Sequence, residues 1–103
     1  MQHTIEHNLG FEKAKLVAQK VIKAYKKDFE KYDFQSSWIS AERVQLSFSI
    51  GKKRLMGTMK VLPMTLLLEM EVPFFYRMFS QAAISAIDTE AKKWIELAKN
   101  GKL

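Results

Sequence analysis

Apolar residues recur at steps of three and four between residues 11 and 32. The apolar positions of this segment are Phe11, Ala14, Ala18, Val21, Ile22, Tyr25, Phe29 and Tyr32. Such steps trace one face of an α-helix, and the residues between them are mostly polar. The pattern predicts an amphipathic helix over residues 11–31, with Asn8 or Gly10 at its start.

Other parts of the chain alternate apolar and polar residues with a period of two, which is typical of strands with one buried and one wet face. The predicted strands are residues 3–7, 34–40, 42–50, 54–62 and 65–72. Gly51 opens a short turn, and Pro63 lies in the turn before the last strand. Gly57, inside a strand, indicates a bulge or a place where a helix comes close to the sheet.

A second helical pattern follows, over residues 80–99. Its apolar positions are Ala83, Ile84, Ile87, Ala91, Trp94, Ile95 and Ala98. Ser80 is the predicted cap, and Asn100-Gly101 is a stop signal. The element order β-α-β-β-β-β-α predicts one α+β domain over residues 1–103. We expect a curved antiparallel sheet with two helices packed on one face, as in helix-grip and TATA-binding-protein-like folds.

Composition narrows the classes of protein without selecting an activity. The 103 residues are enough for one domain with a real core. The absence of cysteine excludes disulfides, thiolate metal sites and cysteine nucleophiles. No apolar run approaches the length of a membrane span, and the first ten residues do not resemble a secretory signal. We therefore expect a soluble, cytoplasmic domain.

The chain is basic, with a formal net charge of +6 from 17 basic and 11 acidic residues. The candidate polyanion contacts are Lys13, Lys20, Lys27 and Lys31, which lie off the apolar stripe of the first helix. Only three of the basic residues are arginines, and the aromatic residues of this helix lie on its buried side. Because nucleic-acid readers interleave aromatic residues with charge, the pattern favours a solvated face over nucleic acid.

Few residues of the chain are candidates for metal binding or catalysis. His3 and His7 lie on a strand, where a four-residue spacing separates them by about 13 Å, so that one metal ion cannot bind both. They are better explained by pairing at the sheet edge or by capping near the first helix. Glu69 and Glu71 share an outward face, where a cross-strand salt bridge with Lys60 is simpler than acid–base catalysis. No nucleotide-binding or nucleophile motif occurs, and we predict no catalytic residue, metal site or cofactor.

The segment after Pro73 is unusually aromatic. Its candidate apolar contact residues are Phe74, Phe75, Tyr76, Met78 and Phe79. One corner of a small core cannot easily bury all of them. Either they close the core, or two or more form an exposed apolar patch of the kind that marks a contact with a partner or an amphiphile. We call residues 74–79 the aromatic joint.

Several short motifs together resemble a known family. They are H-T-I-E-H-N-L at residues 3–9, Ala14 with Ala18, Trp38, G-T-M-K-V-L-P at residues 57–63, V-P-F-F-Y-R-M-F at residues 72–79, and K-W-I with G-K-L near the C-terminus. The chain resembles the polyhydroxyalkanoic acid system family, small proteobacterial proteins often encoded near polyester-granule genes. Members commonly have proline where this chain has Met78. The resemblance brings no catalytic residues.

The resemblance implies a link to polyester granules, and the residues add an apolar contact surface. We therefore expect a non-enzymatic accessory protein that contacts an apolar small molecule, a granule surface or a granule-associated protein through the aromatic joint. One alternative is a polyanion-binding module using the first helix. Another is a small enzyme or ligand-binding domain with a pocket under the C-terminal helix. The outward face of the sheet stays exposed or forms a homodimer interface.

Overall fold

The computed structural model describes residues 2–70 and 77–103, and for positions 50 and 77–84 it describes the backbone alone. The elements, in chain order, are β1 (Gln2–Glu6), α1 (Phe11–Asp28), a 3₁₀ turn (Glu30–Tyr32), β2 (Gln35–Trp38), β3 (Arg43–Ile50), β4 (Lys53–Val61), β5 (Thr65–Met70) and α2 (Arg77–Lys99). This order confirms the predicted β-α-β-β-β-β-α arrangement.

The five strands of the described residues form one antiparallel sheet in the order β1-β5-β4-β3-β2. Strands β2 to β5 follow one another as a meander, whereas β1 pairs with β5 at the far edge. The first strand and the last are therefore neighbours, and the chain crosses from one edge of the sheet to the other through α1. The α+β class is confirmed; the more specific helix-grip label stays a prediction.

One face of the sheet forms the floor of the core. Its buried residues are Ile5, Val44, Leu46, Phe48, Leu55, Met59, Val61, Leu66, Leu68 and Met70. Both helices bury their apolar stripes in the same cluster, α1 mainly through Ala14 to Tyr25 and α2 through Ile87, Ala91, Ile95 and Ala98. The alternation in the sequence therefore identified the buried face of β1, β3, β4 and β5 correctly, whereas β2 contributes no buried residue.

The segment between β1 and α1 is tied to the turn between β4 and β5. The backbone N–H groups of His7 and Asn8 both donate to the Met64 carbonyl, at 2.9 and 3.1 Å, and Gly10 N–H donates to Pro63 O at 2.9 Å. Gly10 adopts φ 83° at the N-cap position of α1, as the sequence predicted for the start of this helix. These bonds fix where α1 begins relative to the sheet.

Two predicted helix boundaries are wrong. α1 ends at Asp28, not near Lys31, because the chain passes through a 3₁₀ turn and then Asp33 in the left-handed region (φ 51°), which redirects it into β2. α2 begins at Arg77, so Ser80 lies inside the helix and is not its cap. The predicted end at Asn100-Gly101 is confirmed: Gly101 has φ 67°, and Lys102 N–H donates to Leu97 O at 2.8 Å.

The register between β4 and β5 does not agree with the predicted salt bridge between Lys60 and Glu69. Lys60 lies opposite Leu67, and Glu69 lies opposite Thr58. The described residues contain no ion pair between Lys60 and Glu69, so that part of the predicted cross-strand bridge is wrong, and Glu71 lies outside the described range. Gly57 does not mark a bulge, because pairing is continuous through it on both sides.

Gly57 is instead a point of close approach between neighbouring strands. A Cβ atom built there would lie 2.8 Å from the carbonyl oxygen of Glu69 and 2.9 Å from Cγ of Met70. Both distances are below the van der Waals limit, and one of the two atoms is backbone. The absence of a side chain at Gly57 therefore lets Met70 occupy the inner face beside β4.

We expect Gly57→Ala to destabilise the domain by about 1–3 kcal/mol, since overpacking forces β5 or Met70 to move. Urea unfolding followed by circular dichroism measures the change. Thr58→Ala, on the open face of the same strand, is the matched control and should cost less than about 1 kcal/mol. Equal effects of the two substitutions would show that the contact with β5 is not the cause.

Candidate apolar contact site

An apolar pocket lies between the helices and the sheet, at the end of the layer where β5 finishes. Its lining residues are Tyr25, Phe29, Phe34, Leu46, Phe48, Met70 and Ile87. Each element that meets here contributes: α1 and the residues after it, β3, β5 and α2. The cavity volume is about 20 Å³, close to the space that one water molecule needs. A larger apolar group can enter only if side chains of the lining move.

Aromatic rings form one wall of this pocket. Tyr25 meets Phe34 edge-on, with ring centroids 6.2 Å apart and an interplanar angle of 81°. Phe29 lies 6.1 Å from Tyr25 and 6.4 Å from Phe34 in tilted contacts. These separations are typical of favourable aromatic pairs, each contributing about 0.5–1.5 kcal/mol beyond area burial. The cluster explains why the chain turns sharply after α1: Phe34 must return beneath Tyr25.

The single hydroxyl of the pocket lining already has a partner. Tyr25 is 1% exposed, and its hydroxyl donates to the backbone carbonyl of Ile87 at 2.7 Å, which joins α1 to α2. Burial raises the pKa of this phenol well above its usual value of 10.0, and the carboxylates of Glu90, Asp88 and Asp28 raise it further. Tyr25 therefore stays protonated and acts as a fixed donor between the helices.

The aromatic joint follows the pocket directly along the chain. Met70, the last residue of β5, lines the pocket. Phe74, Phe75 and Tyr76 lie outside the described residues. Met78 and Phe79 belong to the first turn of α2, and their side chains are outside the described part. The predicted contact residues thus begin four positions beyond an apolar pocket; a pocket under the C-terminal helix was one predicted alternative, but the sequence did not identify its lining residues.

A comparison with family models identifies the chain. Residues 2–95 match the family model described as "Putative polyhydroxyalkanoic acid system protein". The chain belongs to this family. Its name links the protein to the polyhydroxyalkanoate system, as the resemblance had indicated. Comparisons with curated proteins and with solved structures gave no match.

In this family member the histidines have structural partners. His7 is 1% exposed. Its Nδ1 accepts from the backbone N–H of Leu9 at 2.9 Å, so the ring proton of the neutral form is on Nε2, which donates to Leu62 O at 3.0 Å. The prediction of a role near the start of the first helix is confirmed for His7, but its burial was missed. The signal was present, because His7 shares the inward alternation of Ile5.

His3 joins the sheet edge to α2. Its Nε2 lies 3.0 Å from Oδ1 of Asp88, and Lys92 lies 2.6 Å from the other carboxylate oxygen. The bond from Lys92 and that from His3 keep the pKa of Asp88 below its usual value of 3.8, although partial burial acts in the opposite direction. The predicted pairing of a histidine at the sheet edge is confirmed for His3. Within residues 2–70 and 77–103, no group of three potential metal-binding side chains occurs.

The candidate polyanion contacts are not among the residues that line the pocket. Lys13, Lys20 and Lys27 are exposed on α1. Lys31 lies in the 3₁₀ turn, where its Nζ is 5.2 Å from the centroid of the Tyr32 ring. The structure therefore brings three of the four predicted lysines onto one helix and separates them from the apolar site. Within the described residues, no helix is both long enough and apolar enough to cross a membrane.

Removing the His7 ring should destabilise the domain strongly. In His7→Leu the Leu9 N–H and the Leu62 carbonyl lose their partner inside the protein, at an expected cost of about 2–4 kcal/mol for two buried polar groups. Urea unfolding measures this loss. His3→Leu is the matched control on the same strand face, and because the His3–Asp88 pair is partly exposed we expect it to cost less than about 1 kcal/mol. A His7→Leu variant as stable as wild type would contradict the assignment.

The phenol of Tyr25 predicts a pH dependence at alkaline pH. Its pKa is higher in the folded protein than the value of 10.0 in an unfolded chain. Its contribution is therefore complete below pH 10 and is lost as pH rises above it. Tyr25→Phe should cost about 1 kcal/mol at neutral pH, and its stability should fall less steeply above pH 10 than that of wild type. Urea midpoints measured from pH 7 to 11 test both; parallel curves would refute the second.

Proposed function

We propose that the protein is a non-enzymatic accessory protein of the polyhydroxyalkanoate system that binds the apolar surface of a polyester granule. The contact is made by the aromatic joint together with the pocket at the end of β5. The observation that carries this proposal is the position of the pocket. Among the described residues the pocket lining is apolar apart from the Tyr25 hydroxyl, which is bonded to Ile87 O, and Met70 of this lining stands four residues before the aromatic joint.

The chemistry of the described polar groups supports binding over catalysis. A general acid or base needs a nitrogen or oxygen atom that is available to a substrate. Both ring nitrogens of His7 are engaged by backbone groups, and the Tyr25 hydroxyl is engaged by Ile87 O. His3 is paired with Asp88. These groups hold elements of the fold together, which leaves apolar contact as the chemistry that the pocket offers.

Apolar burial is strong enough for such a contact. Covering one exposed phenylalanine side chain contributes about 1.5–3 kcal/mol, so two rings of the aromatic joint contribute roughly 3–6 kcal/mol. Association costs consume part of this energy. A granule presents many equivalent apolar positions, and its surface does not need to enter the 20 Å³ cavity. A free acyl chain needs that cavity to enlarge, so the surface of a granule is the better match.

The proposal places the protein in the cytoplasm, at the granule. A granule-associated protein that presents apolar residues, or a small apolar molecule, would use the same residues. Recovery of the tagged protein from lysates with and without polyester granules separates these partners. Enrichment on granules stripped of protein supports the direct contact. Binding that disappears when the granules are stripped indicates a protein partner instead.

We expect Phe75→Asp to reduce co-sedimentation with purified, protein-free polyhydroxybutyrate granules at least tenfold, because a carboxylate opposes burial of the joint against an apolar surface. Ile39→Asp is the matched control: Ile39 is 55% exposed in the β2–β3 connection, far along the chain from the joint, and its substitution should leave binding unchanged.

Circular dichroism and urea unfolding of both variants accompany the binding measurement. If Phe75→Asp unfolds the domain, the ring belongs to the core and the proposed contact is wrong. Salt provides a second test. Apolar docking should persist between 50 and 500 mM NaCl, whereas contact through the lysines of α1 should weaken steeply over this range. Loss of wild-type granule binding at high salt would therefore contradict the proposal.

A further inference from the structure

The side of α1 that faces away from the core carries a straight row of exposed residues. We call this row the outer α1 stripe: Lys13, Leu16, Lys20, Lys23 and Lys27. The residues follow one another at steps of three, four, three and four. At 100° per residue they fall within about 40° of a common line, and at 1.5 Å per residue the row is about 21 Å long. It lies opposite the buried residues Ala18 and Tyr25.

The positive charges of the outer α1 stripe are not neutralised within the described part of the chain. None of its four lysines forms an ion pair there, and the acidic residues of α1, Glu12 and Asp28, stand at its two ends. The neighbouring helix behaves differently. In α2, Lys92 pairs with Asp88 at 2.6 Å and Lys93 lies 3.8 Å from Glu90. Two of the three lysines of α2 thus have acidic partners, whereas none of the lysines of the outer α1 stripe does.

Leu16 adds an apolar group to the middle of this charged row. It is 50% exposed and has Lys13 and Lys20 on either side. All the other apolar residues of α1 are buried except Phe11 and Ala24, which are half-buried. A leucine flanked by cations is suited to a boundary where charged groups lie at the surface and apolar groups lie immediately below.

We propose that the outer α1 stripe docks on the surface of an anionic lipid layer, with its lysines at the phosphate groups and Leu16 between them. Clusters of four to eight basic residues on an amphipathic helix are typical of anionic-lipid binding. A flat layer can touch a straight row along its whole length. The stripe also carries no arginine and no aromatic ring, the residues that nucleic-acid readers use.

This surface is distinct from the apolar contact site. The stripe lies on the outer side of α1, and the pocket is lined by the inner side of the same helix through Tyr25. The two contacts therefore differ in chemistry and in salt dependence. Each can be removed by substitutions that leave the residues of the other unchanged.

The test uses flotation of the full chain with vesicles of phosphatidylcholine alone and of phosphatidylcholine with 30% phosphatidylglycerol, in 50 mM NaCl. Lys20→Gln/Lys23→Gln/Lys27→Gln should reduce binding to the anionic vesicles at least 30-fold. The matched control, Lys52→Gln/Lys99→Gln/Lys102→Gln, removes the same three charges from exposed positions off the stripe. Its binding should fall less than threefold. Leu16→Gln should lower anionic-vesicle binding two- to fivefold.

Each result decides the proposal. The proposal is supported if the wild-type protein binds anionic but not neutral vesicles and the Lys20/Lys23/Lys27 variant loses this binding while the control variant keeps it. Equal losses in the two lysine variants would show that net charge alone is responsible and would overturn it. Failure of wild type to bind anionic vesicles would do the same. A 20-base-pair DNA duplex serves as a competitor: tighter binding to the duplex than to the vesicles would assign the stripe to nucleic acid.

Discussion

The fold depends on the junction between the β1–α1 connection and the β4–β5 turn. Three backbone N–H groups donate to Pro63 and Met64, and the His7 side chain adds bonds to Leu62 and Leu9. This junction holds the first strand beside the last and sets the origin of α1 above the sheet. A histidine serves here because its neutral ring accepts through one nitrogen and donates through the other, which an apolar residue of similar size cannot do.

The helices are held in place at the opposite end by a second polar contact in apolar surroundings. Tyr25 reaches from α1 to the Ile87 carbonyl of α2, and its ring forms a wall of the pocket. The same residue therefore fixes the spacing of the helices and limits the size of the cavity. Enlargement of the pocket requires the helices to separate or the rings of Phe29 and Phe34 to turn. This coupling favours contact with a surface over enclosure of a ligand.

The sequence predicted the element order, the buried faces and the family because each depends on local patterns. The period-two alternation of residues 65–72 predicted a strand with one buried face, and Leu66 and Leu68 on that face are buried. Features that depend on register were harder to predict. The contact of Gly57 with Met70 and the separation of Lys60 from Glu69 follow from which residues stand opposite one another, which alternation alone does not specify. The pocket combines residues from four elements, so no single stretch could reveal it.

Two surfaces of opposite chemistry on one small domain suggest a division of roles. The aromatic joint follows β5 along the chain, while the outer α1 stripe presents lysines that form no ion pair within the described residues. Two lysines of α2 have acidic partners on the same helix, whereas the lysines of the stripe form no ion pair within the described residues. In the two contacts that we propose, apolar burial would supply adhesion and the stripe would supply orientation relative to a charged layer.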